Sequence, residues 1–360
     1  MDRWGDRFDQ WARIIPARIE QGDNMITVGA VAAEFGRDLE AAFTRIAAIL
    51  DDARARGAHL VVLPEAALGG YLTTLDDSPA PTGAEPPTAD PAPDGSGRVE
   101  AAPGDDAAED SLPPALALDG PQLRRLARLA GDLVVVVGLC EDGGGARYNT
   151  AVAVNGDGLL GVHRKVHQPL GEGASYRAGD SFTAFDTPLG RIGMLICYDK
   201  AFPEAARALA VDGAQIVACV SAWPASRTFR APDLADDRWT RRFDLFDQAR
   251  ALENQVLWVS SNQAGSFGSL RFVASAKVVD AGGEVLATTG TTAGVAYATV
   301  DLPRMLASAR ASMFHLRDRR PDAYPDTALP SGTSPLDPFH SILGPGAPAG
   351  GTRARKVRCA

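Results

Sequence analysis

Three residues of different chemistry stand at equivalent places in this chain. Cys197 follows the apolar run from Ile192 to Ile196, Lys165 follows LLGVHR, and Glu65 follows HLVVLP. Each run has the length and bulk of a short buried strand, and in α/β folds ligands bind beyond the carboxyl ends of strands. A thiol, a carboxylate and an ammonium brought together there would supply the nucleophile, base and cation of acyl transfer through cysteine. After Cys197 the chain turns through Tyr198-Asp199-Lys200 and restarts as an alanine-rich helix at Pro203-Glu204. Proline suits a first helical position, where its missing N–H would have no partner anyway. A helix N-terminus nearby is expected to favour the thiolate. Each residue also has a plainer reading: a free cysteine as a small buried hydrophobe, and a carboxylate or ammonium as half of a structural ion pair or a solvated loop end.

The elements that must hold these residues can be read from periodicity. A strand is expected from Ile26 to Val31, and a helix over 37–56 from the spacing of Leu39, Ala42, Phe43, Ile46 and Leu50. Asp119 is expected to cap a helix that Pro121 opens. The strand LVVVVGLC follows, then a hairpin, RYNTAVAV to LLGVHRK, turning at Asn155-Gly156. Next come FTAF, a turn at Thr187-Pro188-Leu189-Gly190, the strand ending at Cys197 with its helix, and QIVACVSA. A long helix over about 237–254, the strands VLWVSSN, SAKVVD, EVLATT and GVAYATVDL, and a helix from Pro303 complete the series. Several strands are joined by tight hairpins, so the sheets should be mixed. Strands this apolar need cover on both faces, which two packed sheets with helices outside would give.

Composition bounds the rest. The 360 residues are 45% hydrophobic, enough for one large core. No apolar run reaches the ~18 residues of a membrane span, and the N-terminus lacks a secretory apolar region. The four cysteines show no metal or disulfide spacing. A reducing cytoplasm is the expected location. Seven Asp and three Glu against one Arg in 76–114 account for the whole net charge of −9; that stretch is expected to be a disordered insert. The remainder is near neutral, with no basic stripe for nucleic acid. Residues 1–24 read as an N-terminal extension, with Met25 an alternative start, residues 25–320 as one domain, and residues 321–360 as a Pro/Gly-rich, basic tail suited to a subunit interface.

Other motifs lead elsewhere. Gly156-x-Gly158-x-x-Gly161 matches the dinucleotide fingerprint in letters, but a strand follows it where a helix is needed. His163 and His167 bracket Lys165, whose charge would repel a metal held beside it. Nothing calls for a cofactor. The arginines of the long helix, Arg238, Arg241, Arg242 and Arg250, are expected on a solvated face or in subunit contacts.

VVLPEAALGGY, HRKVHQP and GMLICYDKAFPEAAR, in that order and with SAWP and SSNQAG also present, resemble the signature segments of the carbon–nitrogen hydrolase (nitrilase) superfamily over roughly Ile26 to Leu316. The resemblance implies an α/β fold, a four-layer α-β-β-α sandwich with two mixed sheets, paired into a homodimer or higher homo-oligomer. It implies a Glu-Lys-Cys triad at Glu65, Lys165 and Cys197, with the backbone N–H of Tyr198 and Lys165 stabilising the oxyanion. Glu172, the only glutamate of the loop HQPLGEGASYRAGD, matches a second glutamate that positions substrate, its alternative being an exposed loop carboxylate. Tyr71 and Trp223 are candidate pocket walls, or core aromatics. Cys-Tyr-Asp with Phe-Pro-Glu is similar to the amidase branches. The expected reaction is hydrolysis of a small linear amide to carboxylate and ammonia through a thioester. Alternatives are an N-carbamoyl amine or amino-acid amidohydrolase, then a nitrilase; a catalytically silent binding protein is the alternative of a different class. The acidic insert, if it hangs near the pocket mouth, would favour cationic substrates over anionic ones.

Overall fold

Alternation along the strands builds two apolar faces per sheet, and the fold covers all four. The computed structural model describes residues 25–73, 75, 112–311 and 313–324. The proposed extension 1–24, the insert except for 112–114, and the tail beyond 324 lie outside the described residues. The chain divides into a body ending at Asp318 and a second unit, Arg319–Ala360, in which Pro321–Ala323 forms a 3-10 turn.

The first sheet is built from β1 (Met25–Ala33), β2 (Leu60–Val62), β3 (Val134–Asp142), β4 (Arg147–Asn155) and β5 (Gly158–Arg164). They lie in that order, with β1–β2–β3 parallel and β3–β4–β5 antiparallel. The second sheet contains β6 (Phe185–Thr187), β7 (Gly190–Ile196), β8 (Ile216–Val220) and β9 (Leu257–Ser260). Beyond β9 lie β13 (Lys277–Val279) and β14 (Val285–Thr288), and only β7–β8–β9 run parallel. Of the remaining strands, β10 (Asn262–Gln263) and β15 (Gly294–Asp301) pair with β1, while β11 (Ser266–Phe267) and β12 (Leu270–Arg271) form a small ribbon.

Leu60 and Val62 of β2 face inward with Ile216, Ala218 and Val220 of β8 in one core between the sheets. Their neighbours Val61 and Leu63 face outward, onto α1 (Leu39–Ala55) and α2 (Pro121–Ala130). On the other side Val217 and Cys219 meet α3 (Pro203–Val211) and α4 (Arg238–Asn254). The last helix, α5 (Leu302–Ala311), follows β15. This is the expected α-β-β-α sandwich with two mixed sheets. The glycine-rich stretch is a hairpin: Asn155 pairs with Gly158 and β5 follows at once.

Two local expectations are corrected. Gly120, not Asp119, caps α2, and no side chain bonds to that helix end. Arg250 of α4 is buried, donating to the carbonyls of Lys200 and Ala201 at 2.9 and 3.2 Å. It lies beside a buried charge cluster. Asp247 Oδ1 is 2.8 Å from Lys200 Nζ and 2.9 Å from Trp258 Nε1, and its Oδ2 is 3.1 Å from Lys277 Nζ. One carboxylate thus ties α4 to the turn after Cys197 and to β13.

Removing that carboxylate would leave the buried Lys200 ammonium without its counter-charge, while Lys277 would keep Asp244 at 2.9 Å. Asp247→Ala should cost about 3–5 kcal/mol in denaturant melts. Burial works to raise the Asp247 carboxyl, but Lys200 and Lys277 hold it below its ordinary value of 3.8. Its contribution is therefore full above that value and is lost as pH falls through the lower folded value. The wild type should lose stability on acidification more steeply than Asp247→Asn, as thermal melts across the acidic range would show.

Candidate active site

One half of the site comes from the first sheet. Glu65 lies just past β2, in a backbone so close to β3 that a Cβ on Gly138 would sit 2.4 Å from the Ala66 nitrogen. Ala66 is left-handed, with φ 55°. The Glu65 N–H donates to the Ser221 carbonyl at 3.3 Å, which moors the loop to the end of β8 in the second sheet, and its carbonyl accepts from Gln263 Nε2 of β10 at 2.9 Å. Lys165 follows β5, its N–H donating to the Asn149 carbonyl at 2.8 Å. Glu172 sits in a 3-10 turn, Leu170–Ala174, and is buried rather than exposed.

These side chains form a dry cluster. Lys165 Nζ lies 2.8 Å from Glu65 Oε1 and 2.7 Å from Glu172 Oε2. Asn149 Nδ2 donates at 2.6 Å both to Glu65 Oε1 and to Glu172 Oε1. The Ala222 N–H donates to Glu65 Oε2 at 2.6 Å. Sequence reasoning passed over Asn149 and the Ala222 N–H. The first had a signal: an asparagine in the middle of the apolar strand RYNTAVAV is out of place unless something buried needs its amide. A backbone donor leaves no such mark. Asn149 Oδ1 is buried and takes no hydrogen bond among the described residues.

The second sheet contributes the thiol. Cys197 begins a 3-10 turn, Cys197–Ala201, directly after β7 and is held at φ 50°, a strained conformation for a residue with a side chain. Asp199 holds the turn. It accepts from the Ile196 and His167 N–H groups at 3.2 and 2.9 Å, and lies 3.0 Å from His163 Nε2 and 2.9 Å from His167 Nδ1. Burial works to raise its carboxyl, yet these bonds hold it well below the usual carboxylate range. Both histidines are therefore committed to Asp199, and they stack on Phe182 and Phe202. Among the described residues, no group of three or more His, Cys, Asp or Glu is arranged to hold a metal ion.

The electrostatics overturn one expectation. Burial, then Glu65, push the Cys197 thiol well above its ordinary value, outweighing Lys165 and a hydrogen bond from the Ala222 N–H. Burial and the neighbouring carboxylate thus favour the thiol over the thiolate in the resting site. Burial and Glu65 also raise the Glu172 carboxyl, against the pull of Lys165. Burial opposes the charge of Lys165, but Glu172 and Glu65 more than compensate and keep its ammonium protonated. Two carboxylates around one ammonium leave an excess negative charge, so a proton on sulfur is the cheaper state.

The remaining candidates divide. Tyr71 is buried with its ring centroid 5.8 Å from Lys165 Nζ and packs edge-on against Phe272. Trp223 packs its ring against Trp239, Phe243 and Phe246, and its indole N–H donates to the Trp239 carbonyl at 3.1 Å. That is a core aromatic. Tyr198 is the second residue of its 3-10 turn, where a backbone N–H has no intrahelical acceptor.

Residues 27–310 match the sequence pattern of the carbon-nitrogen hydrolase family. A stretch of 221 residues is 34% identical to N-carbamoylputrescine amidase of Arabidopsis thaliana, covering 57% of this chain and 72% of that protein. Another, of 222 residues, is 30% identical to omega-amidase NIT2 of Homo sapiens, covering 58% and 76%. The solved carbon-nitrogen hydrolase of Helicobacter pylori G27 superposes with a TM-score of 0.66 at 25% identity, over 84% of this chain and 97% of that one. The match runs from β1 into α5, through every strand that carries a residue of the cluster, and the chain belongs to the carbon–nitrogen hydrolase family.

Proposed function

We propose that the protein is an amidase that splits the C–N bond of a small linear amide through a thioester on Cys197. The observation that carries this reading is the buried Glu65–Lys165–Glu172 cluster, with Glu65 and Lys165 near enough to Cys197 to act on its charge and the Ala222 N–H donating to Glu65 Oε2. Glu65 Oε1 already accepts from Asn149 and Lys165, whereas Oε2 accepts from Ala222 alone. A carboxylate oxygen has about two acceptor positions, so Oε2 has room for the thiol proton. In the proposed reaction the sulfur attacks the carbonyl as its proton passes to Glu65, worth about 10²–10⁴-fold as general base catalysis. Lys165, with a third N–H left after two carboxylates, and the Tyr198 N–H receive the oxyanion. Glu65 returns its proton to the departing ammonia. Water, deprotonated by Glu65, then cleaves the thioester to release the carboxylate. Glu172 holds Lys165 in place, and Tyr71 walls the site beside it.

The relatives named as amidases support the amide and carbamoyl reading. Self-association is part of the proposal, supported by exposed Val211, Leu245 and Leu252 on the outer helices α3 and α4. So is a reducing, cytoplasmic setting: Cys140, Cys197 and Cys219 are free thiols, and the reaction needs one of them reduced. No helix among the described residues is long and apolar enough to cross a membrane.

Intact-mass measurement during incubation with a panel of amides, carbamoyl compounds and nitriles tests the reading. An acyl increment confined to Cys197, with ammonia release abolished in Cys197→Ala, is expected; equal release by both proteins would end the proposal. Asn149→Ala should lower kcat by about 10²-fold, because both carboxylates lose the donor that orients them. The Asn149 bond lowers the Glu172 carboxyl. Its loss should move the acid limb of the kcat/KM profile to higher pH, a change that mere loosening of the fold would not produce.

A further inference from the structure

Residues 199 and 200 tie the nucleophile's turn to different parts of the fold. Asp199 reaches the first sheet, through His163 of β5 and His167 just beyond it. Lys200 reaches the helix α4, and its side chain is buried throughout. Its Nζ lies 2.8 Å from Asp247 Oδ1 and 3.0 Å from the centre of the Phe243 ring, both residues of α4. Asp247 is fixed in turn: Oδ1 accepts from Trp258 Nε1 of β9 at 2.9 Å, and Oδ2 from Lys277 Nζ of β13 at 3.1 Å. Arg250 holds the same end of the turn by its backbone, at the carbonyls of Lys200 and Ala201.

Stability alone does not account for this lysine. A buried ion pair gains little over apolar side chains of the same volume, because both charges first lose their water. Burial outweighs the pull of Asp247 and lowers the Lys200 ammonium below its ordinary value, so the charge is kept dry against a cost. What the pair adds is position. The ammonium meets a carboxylate that two further donors hold in place, whereas an apolar chain tolerates any packing of about the right volume. The residue for which position matters belongs to the same five-residue turn. Cys197 opens it at φ 50°, a strained conformation that persists only where the surroundings over-determine it.

We infer that Lys200 is a positioning residue: its bridge to Asp247 holds the Cys197 turn in the alignment that lets Glu65 take the thiol proton. This rests on the Cys197 nucleophile proposed above and adds a residue that stands outside the reacting cluster. Lys277 is the internal contrast. It binds the same Asp247 from β13, has Asp244 at 2.9 Å as a second partner, and takes no part in the turn.

The test compares full-length wild type with Lys200→Met, Lys277→Met and Ile46→Val, the last a control that loosens the buried core under α1. Two properties are read: kcat and KM on the amide panel, and the rate of Cys197 alkylation by iodoacetamide across pH, followed by peptide mass. Lys200→Met should lower kcat about ten- to hundredfold with KM little changed, the effect of a small misplacement of a reacting group. Its Cys197 alkylation should fall at neutral pH and rise only with the titration of an unassisted thiol. Lys277→Met and Ile46→Val should melt earlier yet keep both rates near those of wild type. If Lys200→Met melts below the assay temperature, Lys200→Met/Asp247→Leu, which removes both charges of the pair, takes its place with the same expectation. Losses of kcat and of neutral-pH alkylation confined to the Lys200 variants support the positioning role. Wild-type rates in those variants, or equal losses in Lys277→Met and Ile46→Val at matched folded fraction, overturn it. Alkylation that depends on Lys200 while no panel member is hydrolysed supports the role and fails the amidase reading alone; hydrolysis through Cys197 that is indifferent to Lys200 does the reverse.

Discussion

Two carboxylates sharing one buried ammonium is the constraint to which the rest of the molecule answers. Glu65, Lys165 and Glu172 are all buried, and breaking such a group by removing one member costs several kcal/mol because the survivors stay dry. The cluster persists because its oxygens are supplied with further donors: Asn149 bridges the two carboxylates and Ala222 reaches Glu65 from the other side. Those donors come from different sheets. Asn149 belongs to β4 of the first, Ala222 follows β8 of the second, and Ser261, directly after β9 of the second, donates through Oγ to the Leu63 carbonyl at 2.8 Å. The acid–base half and the thiol half therefore meet only when the two sheets pack. The apolar core between the sheets, which includes Cys197 itself, sets the geometry of the site as well as the stability of the fold.

The turn that presents the thiol is held from behind. Keeping a residue with a side chain at positive φ costs on the order of 1–3 kcal/mol, and Asp199 offsets this with two backbone and two histidine contacts. One residue further on, Lys200 is inserted against Asp247 with its Nζ 3.0 Å from the centre of the Phe243 ring, and Arg250 clamps the carbonyls of Lys200 and Ala201. The outer helix α4 thus reaches the nucleophile's backbone through charges the reaction does not use.

Most of this frame could be read from the chain because it rests on periodicity and on residue type. Short continuous apolar runs announced β2, β7 and β8, and three charged or nucleophilic residues at strand ends announced where they converge. What escaped was long-range or carried by the backbone. The Ala222 N–H has no side-chain signature. Asn149 stands out in its apolar strand, but the carboxylates it serves lie 84 and 23 residues away along the chain. Arg250 was expected on a solvated face or in subunit contacts because α4 is polar on most of its circumference, and only the fold shows that it and Asp247 turn inward. The protonation state of Cys197 was misjudged for a related reason. The helix N-terminus is visible in the sequence, whereas the desolvation and the neighbouring carboxylates that outweigh it depend on the assembled site.

That misjudgement changes how the proposed chemistry must work. A preformed thiolate would add a second excess negative charge to a dry cluster that already carries one, and nothing in the resting site is placed to balance it. If the proton leaves sulfur only as the carbonyl is attacked, the total charge of the cluster stays constant while its location shifts. Negative charge passes from Glu65, as it takes the proton, to the new oxyanion, which faces the remaining N–H of Lys165 and the unpaired N–H of Tyr198. The carboxyl group that becomes neutral is the one whose charge raised the thiol in the first place. The interaction that makes the resting thiol unreactive is thus relieved along the reaction coordinate, and the ammonium is freed to bind the oxyanion more strongly than it bound the ground state. Such differential stabilisation accelerates a reaction, whereas tighter binding of the substrate alone does not.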